Sequence, residues 1–118
     1  MNTTQKGKEA ESFACEYLKN QNFEILKQNF FTPFGEIDII AKKEGILFFI
    51  EVKSGIGFEP VFNITKTKLT RLIKSIEVYL KAEKNKDSYC LSAIILSKET
   101  AKDSTFKIQW IENLTLFI

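Results

Sequence analysis

Between Gly35 and Gly55 the chain reads GEIDIIAKKEGILFFIEVKSG, two apolar-rich runs separated by Lys-Lys-Glu-Gly. Period-two alternation on either side of a glycine able to take positive φ predicts a β-hairpin. One strand spans Glu36 to Lys42, the turn lies at Glu44-Gly45, and the second strand spans Ile46 to Lys53. The Ile, Phe and Val of both strands have every reason to be buried, yet Asp38, Glu51 and Lys53 are set among them.

Register decides what those charges do. A two-residue turn pairs Lys43 with Ile46, and counting back sets Asp38 across from Glu51 and Glu36 across from Lys53. All four charges then share a face with Ile40 and Phe49, whereas a three-residue turn would send Glu51 to the side away from Asp38. Two carboxylates about 5 Å apart repel by roughly 3 kcal/mol at an effective dielectric near 20. Two readings are open. In one, the charges line the solvated outer face of an antiparallel sheet, which strands Ile40 and Phe49 in water. In the other, Asp38 and Glu51 hold a hard divalent cation, Mg²⁺ with Mn²⁺ as its substitute, and the cation offsets the repulsion.

The flanking segments supply the rest of a fold. From Gln5 to Asn20 the residues Ala10, Phe13, Ala14, Tyr17 and Leu18 make the stripe of an amphipathic helix. Phe23 to Phe30 reads as a strand that ends before Thr32-Pro33, and Gly55, Gly57 and Pro60 mark a loop after the hairpin. Thr65 is the expected N-cap of a second helix whose stripe is Leu69, Leu72, Ile73, Ile76, Tyr79 and Leu80, ending in the charged run Lys81 to Asp87. Tyr89 to Leu96 is a continuous apolar run suited to a strand buried on both faces, and Phe106 to Glu112 reads as one more strand. The expected class is α/β, in the order α-β-β-β-α-β-β. At 118 residues and 44% hydrophobic content, a single domain over 1–118 is expected.

Composition also excludes chemistry. The chain has no histidine, which rules out Ser-His-Asp hydrolysis and His-ligated zinc, and leaves carboxylates, lysines, hydroxyls and bound metal. Cys15 and Cys90 lack zinc-finger spacing and are expected to be reduced thiols. No apolar run has the length of a membrane span, and MNTTQKGKEAE offers no signal-peptide core, so a cytoplasmic protein without membrane contact is expected. The net charge is only +2. Its distribution is uneven: from Ile64 to Lys86 seven basic residues, among them Lys66, Lys68, Arg71 and Lys74, stand against Glu77 and Glu83. Such a helix can follow a phosphate backbone, or it can be an ordinary solvated face.

An acid, a hairpin and then Glu-x-Lys is a pattern that resembles the PD-(D/E)xK nuclease superfamily. More closely, the chain resembles the YraN-type family of small predicted endonucleases, related to archaeal Holliday junction resolvases. The likeness runs through Gly7, Glu11, Ala14, Tyr17 and Leu18 on the first helix, Asn29, GEID at Gly35 to Asp38, FxEVK at Phe49 to Lys53, and Thr65 with Lys68. The chain departs from the family at Phe31 and Gly55, where arginines are usual, and at Ser92, where an aspartate is common.

The resemblance implies a restriction-endonuclease-like fold, a mixed central β-sheet flanked by helices. It further implies a Mg²⁺-dependent endonuclease for branched or single-stranded DNA, with a homodimer expected for a symmetric junction. Asp38, Glu51 and the Val52 carbonyl would ligate the metal, Lys53 would orient water or stabilise the phosphate, and Glu11 would act as an outer ligand. Lys66, Lys68, Arg71 and Lys74 would contact nucleic acid, with Lys68 nearest the substrate path. The alternative is a nucleic-acid-binding protein that keeps the fold without the catalysis. A phosphatase has little to support it, because no phosphate loop is present.

Overall fold

The computed structural model describes residues 3–57 and 65–114; Pro60 of the expected loop lies outside them. The order is α1 (Thr3–Asn20), β1 (Glu24–Thr32), β2 (Gly35–Lys43), β3 (Ile46–Ile56), α2 (Lys66–Ala82), β4 (Tyr89–Lys98) and β5 (Lys107–Ile111). This is an α/β architecture consistent with a restriction-endonuclease-like fold. The five strands form one mixed sheet in sequence order: β3 and β4 are parallel, and the other neighbours are antiparallel.

The turn between β2 and β3 has two residues, with Glu44 at φ 51° and Gly45 at φ 78°, and Lys43 pairs with Ile46 as the count requires. Positive φ at both central positions matches the twist of the flanking strands. The parallel pair needs a crossover, which α2 belongs to. Its start is set by Thr65, whose side chain accepts from the Lys68 N–H at 3.2 Å, a cap worth about 1 kcal/mol. Lys84, at φ 50°, turns the chain out of the helix.

The two faces of the sheet carry separate apolar layers. Ala10, Ala14 and Leu18 of α1 close over Ile39, Ala41, Phe48, Ile50 and Ile94. Leu69, Leu72, Ile76 and Tyr79 of α2 close over Ile40, Leu47, Phe49, Leu91, Ala93 and Ile95. β4 is therefore buried on both sides, as its unbroken apolar run requires. Ile40 and Phe49 are fully buried, so the α2 face of the hairpin is not a solvated surface. One stripe position differs from expectation: Ile73 is exposed, and Ser75 is buried in the helix face instead. Its hydroxyl lies 2.7 Å from that of Thr32, which ties the β1–β2 turn to α2 without leaving a buried polar group unpaired.

Both cysteines are free. Ser92 is fully buried and donates to the Glu112 carbonyl at 2.5 Å. It fastens the end of β5. No helix among the described residues is long and apolar enough to cross a membrane.

Candidate functional site

The β2–β3 ladder runs from Lys43–Ile46 to Ile39–Ile50 and stops there. Beyond it the regular alternation of β2 breaks: Ile37 packs in the α2 layer, although Ile39, two residues on, packs in the α1 layer. On the neighbouring strand Asn29 sits at φ 55°, a conformation that asparagine tolerates better than other side chains. Asp38 occupies the break. Its Oδ2 accepts from the Val52 N–H at 2.8 Å, so a carboxylate stands where a backbone carbonyl would pair.

This irregularity gathers acids from two elements, α1 and β2. Oxygens of Glu11, Glu36 and Asp38 lie within 4.8 Å of one another. With its amide group turned toward the acids, Asn29 donates to Glu36 Oε1 at 2.6 Å and to Glu11 Oε2 at 3.0 Å. One amide thus holds a carboxylate of α1 beside a carboxylate of β2. The backbone of β1 leaves the extended region to present it.

Electrostatics at the site is governed by burial and like charge. Burial, then the charge of Glu51, pushes the Asp38 carboxyl up to about 8, although the Val52 N–H pulls it down; Glu11 and Glu36 add to the rise. Glu36 is raised by burial and by Glu11 and Glu51. Glu11 is raised by burial and Glu51 against the opposing hydrogen bond from Asn29. Four carboxylates therefore share one field, and protons are held where a cation would otherwise be.

A cationic group lies alongside. Lys53 Nζ is 3.2 Å from Glu51 Oε1, with both side chains largely buried. Burial pulls the Lys53 ammonium down, but the hydrogen bond with Lys68 and the charge of Glu51 outweigh it, and the net shift is upward. Lys68 moves the opposite way, lowered by the hydrogen bond with Lys53 and by desolvation. Of these two neighbouring ammonium groups, Lys53 keeps its proton more firmly.

A cleft of about 180 Å³ opens over this group between the β1–β2 turn and α2, lined by Phe34, Glu36, Glu51, Lys68, Arg71 and Ser75 among others. Arg71 is the chain's single arginine. Lys74 stands beyond the cleft wall with its Nζ 5.5 Å over the Phe34 ring. Lys66, at the first position of α2, is exposed and is not among the cleft residues.

The structure brings together Asp38, Glu51, Lys53, Glu11, Lys68 and Arg71. It divides the hairpin charges differently from the regular register: Glu36 joins Glu11 through Asn29, and Lys53 pairs along its own strand with Glu51. Glu36 and Asn29 are the residues whose parts the sequence does not reveal. A signal is present for Asn29, since asparagine is depleted inside strands and its presence there points to a break.

A model of the uncharacterised protein family UPF0102 matches residues 10–102. The chain is 47% identical over 116 residues to a UPF0102 protein of Helicobacter hepaticus, covering 98% of this chain and 99% of that protein. It is 46% identical over 111 residues to a UPF0102 protein of Wolinella succinogenes, covering 94% and 96%. With a UPF0102 protein of Helicobacter pylori it shares 46% identity over 110 residues, covering 93% and 90%.

Proposed function

The chain belongs to the uncharacterised protein family UPF0102, the YraN-type family its motifs resemble, and from that premise we propose that it is a metal-dependent nuclease hydrolysing DNA phosphodiester bonds. The observation that carries this reading is the convergence of Glu11, Glu36 and Asp38 within 4.8 Å beside the Glu51–Lys53 pair at 3.2 Å.

The donor set fits a hard divalent cation. It is all oxygen, and its members Glu11 on α1 and Glu36 and Asp38 on β2 are each raised above the usual carboxylate range, so a cation would bind in place of protons. Asp38, Glu36 and Glu11 would hold the ion, with Glu51 in the same electrostatic field. The Val52 carbonyl belongs to the residue whose N–H engages Asp38 and would supply a further oxygen. Mg²⁺ or Mn²⁺ bound there supplies a water of lowered pKa and neutralises phosphate charge.

The chain's own groups do the remainder. Lys53 stays charged at neutral pH and is fixed by Glu51, so it places a positive charge where the phosphate oxygens gain negative charge. Arg71 and Lys68 line the cleft and orient the backbone phosphate, Arg71 through its planar fork. Lys74 and Lys66 extend the same basic face along α2 and strengthen non-specific attraction.

The test is incubation of labelled single-stranded, duplex and four-way-junction DNA with Mg²⁺, Mn²⁺ or EDTA, beside Asp38→Ala. Cleavage that needs the metal and is lost in Asp38→Ala supports the reading. Equal cleavage by both proteins, or none on any substrate, overturns it. Binding without cleavage would favour a nucleic-acid-binding protein, a reading supported by Phe31 and Gly55 standing where the family it resembles has arginines.

A further inference from the structure

We propose that Phe31 and Phe34 form a stacking platform for an unpaired nucleobase beside the acidic cluster, so that the site selects single-stranded segments over intact duplex. The inference rests on the nucleic-acid reading above and names its substrate class.

Phe31 is 72% exposed and Phe34 is 42% exposed, whereas Phe48 and Phe49 of β3 are buried. Phe31 lies directly across β1–β2 from Glu36, and paired residues of neighbouring strands share a face. An exposed phenyl ring therefore stands next to one carboxylate of the cluster. Phe34 is at the rim of the cleft that also holds Glu36 and Glu51. One ring thus neighbours Glu36 across the strand pair, and the other stands at the cleft rim.

The turn that carries them is fastened on both sides. The Phe34 N–H donates to Thr32 Oγ1 at 3.1 Å, and Thr32 Oγ1 donates to the Gly35 carbonyl at 3.0 Å. The same hydroxyl meets the buried Ser75 of α2 at 2.7 Å. Lys74 Nζ lies 5.5 Å from the Phe34 ring centroid, and Arg71 and Lys68 line the cleft beside it. Aromatic faces interleaved with cations on a fixed turn are the combination that holds a strand by its bases and its phosphates at once. Bases of an intact duplex are stacked on each other and cannot reach such rings, whereas every unpaired base has a free face. The charge complementarity of Lys68, Arg71 and Lys74 selects a polyanion as the occupant rather than an apolar protein surface.

The experiment measures binding alone, with EDTA present so that no cleavage intervenes. Fluorescein-labelled single-stranded oligothymidylate, the same oligomer with abasic residues, and a duplex of equal length are titrated by anisotropy against wild type, Phe31→Leu, Phe34→Leu and the double variant. Both leucine variants keep an apolar side chain at sites that are not part of the core, and circular dichroism verifies folding. The expected result is affinity for the single strand weakened by about tenfold for each ring, with duplex binding within about twofold of wild type and the salt slope unchanged. Wild type on the abasic oligomer should bind like the double variant on the intact one. Strong wild-type binding to the single strand that the variants share overturns the platform alone. Failure of wild type to bind any of the three overturns the nucleic-acid reading and the platform with it. A dimer seen in sedimentation that dissociates in Phe31→Leu, with nucleic-acid binding intact, assigns the ring to self-association and also overturns the proposal.

Discussion

The Val52 N–H donates to Asp38 Oδ2 at 2.8 Å, immediately past the last backbone pair of the hairpin at Ile39–Ile50. The sheet opens by the width of one side chain, and a carboxyl group fills the gap. That hydrogen bond fixes the Asp38 carboxyl at the inner edge of the acid cluster and favours its ionised form, but burial and Glu51 act more strongly the other way.

Stability should fall as pH rises. In the unfolded chain Asp38 titrates at about 3.9, and in the folded protein its carboxyl is pushed up to about 8. Between these values the native state holds the extra proton, so this group's contribution is fully present below the lower value and lost as pH climbs through the upper one. Glu11 and Glu36 shift in the same direction. Thermal midpoints of metal-free protein should therefore decline from about pH 5 to about pH 9. Asp38→Asn should remove most of that slope, its margin over wild type widening toward the alkaline end.

A divalent cation should reverse the decline. Binding only to the folded site at about ten times Kd contributes about 1.4 kcal/mol, a rise of a few degrees for a domain of this size. The rise should be larger at about pH 8 than at about pH 6, because fewer protons have to leave. Potassium chloride of matched ionic strength is the control. A wild-type midpoint that does not distinguish Mn²⁺ from that control would remove the metal from the site.

Cleavage and affinity should separate by position. Glu51→Gln and Lys53→Ala should abolish cleavage while DNA binding stays within a few fold. Arg71→Ala with Lys74→Ala should weaken binding and flatten its salt dependence, by about 0.9 log units for each duplex phosphate that the protein no longer neutralises. An unchanged slope in the double variant would show that this face of α2 does not meet the backbone.

Glu44→Asn should stabilise the protein on the order of 0.5–1 kcal/mol, since Glu44 takes φ 51° in a turn where Asn-Gly is favoured and a left-handed conformation costs most other residues free energy. Urea unfolding measures it directly; a decrease in stability would mean that the glutamate side chain makes an interaction that outweighs its backbone strain.

The hairpin and both helices are legible in the sequence because their signals are local. The Glu-Gly turn and the Thr65 cap act over a few residues and are met in the structure, and alternation holds as far as the Ile39–Ile50 pair. Turn parity sets Asp38 across from Glu51, but the ladder ends at Ile39–Ile50 and Asp38 engages the Val52 N–H instead. The break in β2 is not legible. Strict alternation would set Glu36 and Asp38 on the face of Ile40, but Ile37 takes that layer, and both acids stand with Glu11 of α1, where the left-handed Asn29 bridges Glu36 to Glu11. Ser75 is likewise invisible as a core residue, because its partner Thr32 is 43 positions away. Hydropathy assigns Ile73 to the helix stripe, but the stripe narrows where the β1–β2 turn and its hydroxyl bond displace apolar packing.

The turn at Glu44-Gly45 carries a kinetic implication. Glu36, Asp38 and Glu51 all belong to the hairpin it closes, and hairpins form in about 1–10 μs, whereas the parallel pairing of β4 with β3 joins residues about 40 positions apart and is expected to come later. The acids of the hairpin should thus meet early in refolding, and their mutual repulsion should be felt at the rate-limiting barrier. A divalent cation should consequently raise the refolding limb of a stopped-flow chevron and leave the unfolding limb nearly unmoved. The same ion that the mature site would use is then also an accelerant of the protein's own assembly.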